Sequence, residues 1–289
     1  MYGQPTEDYF LHDGLKIHYW EWGDPNEETI VFVHGVRDQG RSWELFIPEM
    51  IARGYPLKHA VALDLRGHGE SDWQGTERGY QHEDFLTDLA GLLHHLNKDP
   101  VTIVGHSLGG SMALLYAGAF PEKVDRMVLL ESLGPFARSD EEVPEIIAER
   151  LRGRSYVEIP YPYPSIEAAA KALQKRFPLI PDEAAQHMAF WGTNKRGETY
   201  RWKYDPILRY RTTTALSEGQ IEAFIRRVHC PILFVYGTES DFMQSVRGPR
   251  AKLFKNARIA AIEGAGHHIP HERPGELAEV VVPFLVGDD

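Results

Sequence analysis

The pentapeptide Gly105-His106-Ser107-Leu108-Gly109 constrains this chain more than any other stretch. An apolar, β-branched run from Val101 to Val104 leads into it, and a run of helical character starts at Leu108. A serine on a sharp turn between a strand and a helix presents its hydroxyl at the end of a sheet. Such a turn needs a strained backbone, which persists only where neighbours hold it. The chain passes close to its own strand and helix there, so a side chain larger than hydrogen at Gly105 or Gly109 would collide. The following helix aims its first N–H groups and its positive dipole end at the serine oxygen, a favourable place for an anionic intermediate.

The flanks of this turn alternate between strand and helix. Residues 9 to 12 and 15 to 22 read as two strands joined by a tight Asp13-Gly14 turn. Thr29 to Val33 is almost wholly apolar, as a strand buried on both faces of a parallel sheet would be. Further strands are expected at 60 to 63, 124 to 130, 231 to 236 and 257 to 263. Helices are expected near 81 to 97, where Phe85, Leu89, Leu92, Leu93 and Leu96 form one stripe, and at 217 to 227 and 274 to 285. This alternation implies crossover units and a mainly parallel sheet.

The rhythm breaks after Ser132. From Gly134 to Leu216 there is no strong buried-strand run, only proline-rich turns around residues 159 to 164 and helical segments near 141 to 152, 165 to 176 and 182 to 190. Aromatics concentrate here, among them Tyr156, Tyr161, Tyr163, Phe190, Trp191, Trp202, Tyr204 and Tyr210. The expectation is a core formed by residues 1–133 and 217–289, with a helical cap, 134–216, inserted after the sixth strand. Within the cap and its border Trp43, Phe136, Trp191 and Trp202 are candidates to line an apolar pocket.

Charge and cysteine content exclude several classes. The formal net charge of -11 argues against nucleic acid or an anionic membrane as partner. The densest basic patch, Arg150 to Arg154, is flanked by glutamates and reads as a solvated helix end. The single cysteine, Cys230, allows no intrachain disulfide and reads as a small core residue. The first residues lack a basic region and an apolar run, and no stretch reaches membrane-span length, so a cytoplasmic location is expected. Composition does not fix the oligomeric state.

A serine hydroxyl is a weak nucleophile at neutral pH. It needs a base within hydrogen-bond reach, and the base needs an orienting carboxylate. In open α/β sheets such groups gather at the carboxyl ends of strands. Ser107, Asp241 and His267 each follow a strand, in the order Ser, Asp, His. His267 comes first after the flexible Gly264-Ala265-Gly266 loop, ahead of its competitors His268 and His271. The His-x-x-His spacing of those two has no accompanying ligand set, so neither a metal nor any cofactor is expected. Asp241 is the leading acid; Glu239 lies in the same turn, and Glu131 ends the strand after the serine turn and could also reach a histidine. The backbone N–H groups of Leu108 and of Val36, after His34-Gly35, are the expected oxyanion donors.

Five segments in this order carry a resemblance: His34-Gly35, Asp64 to Asp72, Gly105 to Gly109, Tyr236-Gly237 with Asp241, and Gly264 to His267 with Glu272 to Pro274. Over nearly its whole length the chain resembles the α/β-hydrolase superfamily, and within it the capped serine hydrolases and esterases. That resemblance implies an α/β fold with a mostly parallel central sheet flanked by helices and an inserted helical cap. It implies Ser107, Asp241 and His267 as triad, with Glu131 where some relatives carry an alternative acid, and Val36 and Leu108 as oxyanion donors. The Asp64 to Asp72 segment looks like that family's structural loop. The implied activity is hydrolysis of small to medium hydrophobic carboxylic esters through an acyl-enzyme, a small-molecule ester being the partner. Related chemistries on the same triad are carbon–carbon bond hydrolysis, lactone hydrolysis and cofactor-free haloperoxidation; the alternative of a different class is a non-catalytic small-molecule-binding protein. Epoxide hydrolases and haloalkane dehalogenases, which use an aspartate nucleophile, are disfavoured by Ser107.

Overall fold

The computed structural model describes residues 3–75, 79–153, 162–209, 215–241 and 248–287. Arg154, Tyr156, Tyr161 and Tyr210, named above, lie outside the described residues. The first hairpin forms where the Asp13-Gly14 signal places it: β1 (Thr6–His12) and β2 (Leu15–Gly23) pair antiparallel across a turn in which Asp13 and Gly14 have φ of 52° and 79°. Two positive φ values in succession are what a two-residue hairpin turn of matching twist requires. β3 (Thr29–Val33), β4 (His59–Leu63), β5 (Val101–His106) and β6 (Val124–Leu130) follow. Between them lie a 3₁₀ turn (Gly40–Leu45), α1 (Ile47–Ala52), α2 (His82–Leu96) and α3 (Leu108–Ala119).

After β6 the chain runs through α4 (Val143–Gly153), α5 (Ile166–Arg176), α6 (Asp182–Gly192) and a hairpin of β7 (Thr193–Arg196) with β8 (Thr199–Trp202). The hairpin is not among the expected elements, and it is no buried-strand run. Its residues are mostly polar and partly exposed, so neither apolar alternation nor a buried run announces it. The sheet resumes with α7 (Glu218–Ile225), β9 (Ile232–Gly237), β10 (Ala257–Ile262) and α8 (Pro274–Val286).

Eight strands form one sheet in the order β1-β2-β4-β3-β5-β6-β9-β10, antiparallel at β1, β2 and β4 and parallel from β4 onward. Its central strands are apolar on both faces because each face has its own core. Val31, Val33, Ile103, Met127 and Leu129 enter one cluster with α2 and α3; Ile30, Phe32, Val104, Val128 and Leu130 enter the other with α1 and α8. Alternate residues of one strand thus serve opposite layers. The parallel strands all end at the same edge, which brings the segments after β3, β5, β6, β9 and β10 together.

The segment between β6 and α7 has its own small core. Ala169 and Ala170 of α5 pack on Ala184, Ala185, Met188 and Ala189 of α6. Small side chains let these two helices approach closely. Two sets of contacts fasten the segment to the sheet. His187 Nε2 lies 3.0 Å from the Arg41 carbonyl of the 3₁₀ turn. Tyr80 Oη donates to Asp205 Oδ2 at 2.9 Å, and Trp73 Nε1 donates to the Lys203 carbonyl at 3.3 Å. Among the described residues no helix is long and apolar enough to cross a membrane.

Close packing at the serine turn makes a local prediction. A Cβ built on Gly109 would lie 2.0 Å from the Val33 carbonyl oxygen, and backbone cannot yield as a side chain does. Gly109→Ala should cost about 3 kcal/mol or more of stability. Gly219→Ala, in α7 with nothing within 4 Å of the added Cβ, should be neutral or stabilising by about 0.5 kcal/mol. Urea denaturation of both variants checks the contrast, and equal stabilities would refute the steric account.

Candidate active site

Ser107 sits between β5 and α3 with φ 51° and ψ −111°, a conformation that an L-residue adopts only when held. Three backbone bonds hold it: Ser107 N donates to Leu130 O at 2.9 Å, Gly109 N to His34 O at 3.1 Å, and Ser111 N to Ser107 O at 3.0 Å. The first ties the turn to the end of β6, the second to the end of β3. The hydroxyl is left toward the loop after β10. There His267 Nε2 lies 3.1 Å from Ser107 Oγ.

The other ring nitrogen, Nδ1 of His267, lies 3.2 Å from Glu131 Oε2. Glu131 is the first residue past β6, has φ 54°, and is fully buried. Gly237 N donates to its Oε1 at 2.8 Å, and Ser240 Oγ donates to its Oε2 at 2.5 Å. Asp241, the expected acid, is exposed, and no hydrogen bond joins it to His267 among the described residues. The carboxylate on the histidine is therefore that of Glu131, the alternative acid. The reason lies in the turn after β9. Ser240 N bonds to Gly237 O at 3.2 Å, which points the third residue after Gly237 inward and the fourth outward. The inward position holds a serine, buried against Glu131, and the outward one holds Asp241. Glu239, weighed in the same turn, is likewise not on His267: its amide bonds to Ala265 O at 2.9 Å.

Three residues that support this arrangement are not among the sequence candidates for the site. Glu272, buried on the helical turn Ile269–Glu272, accepts from the amides of Gly266 and His268, on either side of His267. Ser240 fills the remaining face of Glu131. His106 Nε2 donates to the His267 carbonyl at 2.7 Å, which couples the serine turn to the histidine loop. A buried glutamate six residues after a Gly-rich loop, and a buried serine at a strand end, carry no distinguishing pattern in one sequence. His106 is inside the motif, but its direction is set only by the fold.

Four imidazoles crowd this corner, with ring centroids of His106 at 5.0, 5.7 and 6.2 Å from His267, His268 and His271. Burial, then the neighbouring His267 and His271 rings, pushes His106 down to about 3, and the same causes hold His268 well below the ordinary histidine value. His271 Nε2 lies 3.3 Å from Asp38 Oδ2. Burial works against the charge of Asp38, yet the His271 ring beside it holds that carboxyl well below the usual range. No group of three or more His, Cys, Asp or Glu among the described residues has metal-holding geometry.

The loop after β3 carries Val36 beside the serine. Val36 and Ser107 both line a cavity of about 330 Å³, together with His267, Leu173, Phe177, Met188 and Trp202. Leu108 is not in the cavity wall, but its amide opens α3 directly after the serine. Of the four aromatics expected around a pocket, Trp202 alone lines it. Trp43 is a core residue, packed 5.1 Å from Phe32 and 6.3 Å from Phe46 between ring centroids. Trp191 lies over the Arg41 guanidinium at 3.7 Å and edge-on to Trp20. Phe136 is exposed and outside the cavity wall. A large aromatic gains more from full burial in the core than from lining an open space, which is why composition alone misassigned Trp43. The Asp64 to Asp72 loop is structural in its contacts: buried Asp64 accepts from Gly40 N at 2.6 Å and Glu70 N at 3.1 Å, and pairs with His18 at 2.9 Å.

The alpha/beta hydrolase family profile matches residues 30–280. The chain belongs to the alpha/beta hydrolase family. A serine hydrolase-like protein of Dictyostelium discoideum is 23% identical, the match covering 96% of this chain and 81% of that protein. An sn-1-specific diacylglycerol lipase of Mus musculus is 26% identical over 91% of this chain and 82% of its own length. Among solved structures, a thioesterase domain from the curacin biosynthetic pathway superposes with a TM-score of 0.85 at 24% identity, covering 97% of this chain and 100% of that domain. The profile match shows the family, and likeness to a solved structure at 24% identity shows the fold.

The buried imidazoles make the protein acid-sensitive. Burial also pushes His68 down to about 3. Their folded values lie below the unfolded value near 6.5, so the unfolded chain binds protons first, and stability present above pH 6.5 is lost as the pH falls toward 3. For His68 and His106 together the loss should be about 2 kcal/mol per pH unit below pH 6. Urea denaturation at pH 7, 6 and 5 measures it, and a flat profile would contradict the burial of these rings as neutral groups.

Proposed function

We propose that this protein is a serine hydrolase that cleaves carboxylic esters through an acyl-enzyme, with Ser107 as nucleophile, His267 as base and Glu131 as the orienting acid. The observation that carries the proposal is the continuous chain Ser107 Oγ, His267 Nε2, His267 Nδ1, Glu131 Oε2, with links of 3.1 and 3.2 Å around a serine in a strained turn. Family membership and the names of the serine hydrolase-like and lipase relatives support it.

In the first half-reaction Ser107 Oγ attacks the ester carbonyl carbon while His267 Nε2 takes its proton. The negative charge that grows on the carbonyl oxygen faces the amides of Val36 and Leu108 and the positive end of α3. The imidazolium then gives its proton to the departing alcohol oxygen. Water enters, loses a proton to His267, attacks the acyl carbon and releases a carboxylic acid, restoring Ser107. Glu131 keeps the imidazole with Nδ1 protonated and balances the imidazolium as it forms. Because Glu131 is buried and already holds two other donors, its orientation is fixed before substrate arrives. The cavity volume of about 330 Å³ is at the small end of ligand sites and fits small to medium acyl groups. The segment between β6 and α7 acts as the cap that closes this space.

A fluorophosphonate probe should label the wild type at Ser107 and leave Ser107→Ala unlabelled. A p-nitrophenyl ester panel should be hydrolysed with short and medium acyl chains preferred. Folded wild-type protein that resists the probe would sink the proposal in favour of a binding protein on this fold. The choice of acid is tested separately. Glu131→Gln should lower kcat by about 10⁴-fold by imposing the wrong imidazole tautomer, whereas Asp241→Asn should change it less than about twofold. The reverse ranking would restore Asp241.

A further inference from the structure

The cavity beside Ser107 carries a charge pattern that the ester reading does not use. Its wall holds Arg37, Arg176 and Lys203 as cationic residues and Asp38 as an acidic one. This is unusual in a chain of net charge -11. Asp38 is answered by His271, and Lys203 by Glu70, with which it forms a close ion pair. Arg176 is different. It ends α5 as an exposed residue, one turn after Leu173 and next to Phe177, both of which line the same cavity. Its guanidinium lies 5.2 Å from the Phe177 ring centroid, and among the described residues no side-chain hydrogen bond or ion pair is made by it. Arg37, directly after Val36 in the loop following β3, lines the same cavity.

A guanidinium lying over an aromatic face keeps its in-plane N–H donors available, and a carboxylate matches that fork with two parallel bonds. Leu173 and Phe177, in the wall of the cavity that Ser107 and Arg176 share, would cover the methylene chain of a substrate that ends in a charge. We propose that the site takes esters bearing a free carboxylate, held by Arg176, rather than wholly neutral esters. This rests on the reading of Ser107 as an acyl-accepting nucleophile. The reaction stays a hydrolysis without redox change: a half-ester and water give a dicarboxylic acid and an alcohol, the water oxygen entering the acyl carbon as the alcohol oxygen leaves.

The test compares kcat/KM for mono-p-nitrophenyl succinate, glutarate and adipate with that for neutral p-nitrophenyl esters of equal acyl length. A second arm places the carboxylate on the alcohol side, with 3-(butyryloxy)propanoate against propyl butyrate, and so tells which half of the ester meets the cation. In the wild type at least one charged substrate should exceed its neutral counterpart by about tenfold at low salt, and the advantage should shrink as salt is raised. Arg176→Gln should lower the charged-to-neutral ratio by about tenfold, and Arg176→Lys should keep part of it. A wild-type ratio below one in every pair, or an Arg176→Gln variant that slows charged and neutral esters alike, would overturn the proposal. If the wild type hydrolyses no ester, the nucleophile reading fails by itself. Calorimetric binding of monomethyl glutarate and of dimethyl glutarate then decides the charge question. Tighter binding of the half-ester, lost in Arg176→Gln, supports the anion site, and equal binding of the two overturns it.

Discussion

A carboxylate without water must be answered by donors on every side, and the site is organised around how Glu131 is answered. Its donors come from the Gly237 amide, the Ser240 hydroxyl and the His267 ring, that is, from the ends of β9 and β10. The strand order β5-β6-β9-β10 places the strand before Ser107 beside the strand before Glu131, with the strand carrying Gly237 next and the strand before His267 last. Neighbouring strands lie about 4.8 Å apart, so the spacing of serine, acid and base is inherited from the sheet and not set by the loops alone. The residue before Glu131 fixes the serine as well, since Leu130 O accepts from Ser107 N. One strand end therefore positions both partners of the imidazole. The positive φ of Glu131 is the local strain that turns its side chain back into the sheet edge.

How much of this was legible follows from where the information resides. Thr29–Val33 forms the strand that its almost wholly apolar run implies, because burial on both faces leaves no other pattern. The serine turn was legible for the same kind of reason: the glycines are demanded by backbone contacts a few ångströms away, and the Gly109 position would collide with Val33. The choice between Glu131 and Asp241 was not legible to that degree. Both acids follow apolar strands, and only the turn at Gly237 to Ser240, closed by a single backbone bond, decides which faces inward. The pocket was less legible still. Trp43 and Trp202 each sit among polar neighbours in sequence, yet Trp43 is covered by Phe32 of β3 and by Phe46 at the end of its own turn, while Trp202 ends a hairpin with no apolar signature. Pocket walls are made by what fails to be covered, a property of the assembled layers.

The crowd of histidines raises the question of why a single ring would take the proton. Position answers first: among the four imidazoles, His267 is the one that touches both a hydroxyl and a carboxylate. Electrostatics answers next. A proton arriving on His267 would face competing rings at 5.0 and 5.3 Å, those of His106 and His268, but burial has already driven both below the range where they could compete. The same burial leaves their dipoles as fixed, uncharged neighbours. His106 contributes through its Nε2–H bond to the His267 carbonyl, a restraint on the loop that does not depend on charge. In the proposed acyl transfer the positive charge is thus confined to the one ring that has a carboxylate behind it. Glu272, bonded to the amides on either side of that ring, keeps the imidazole where the charge can be used.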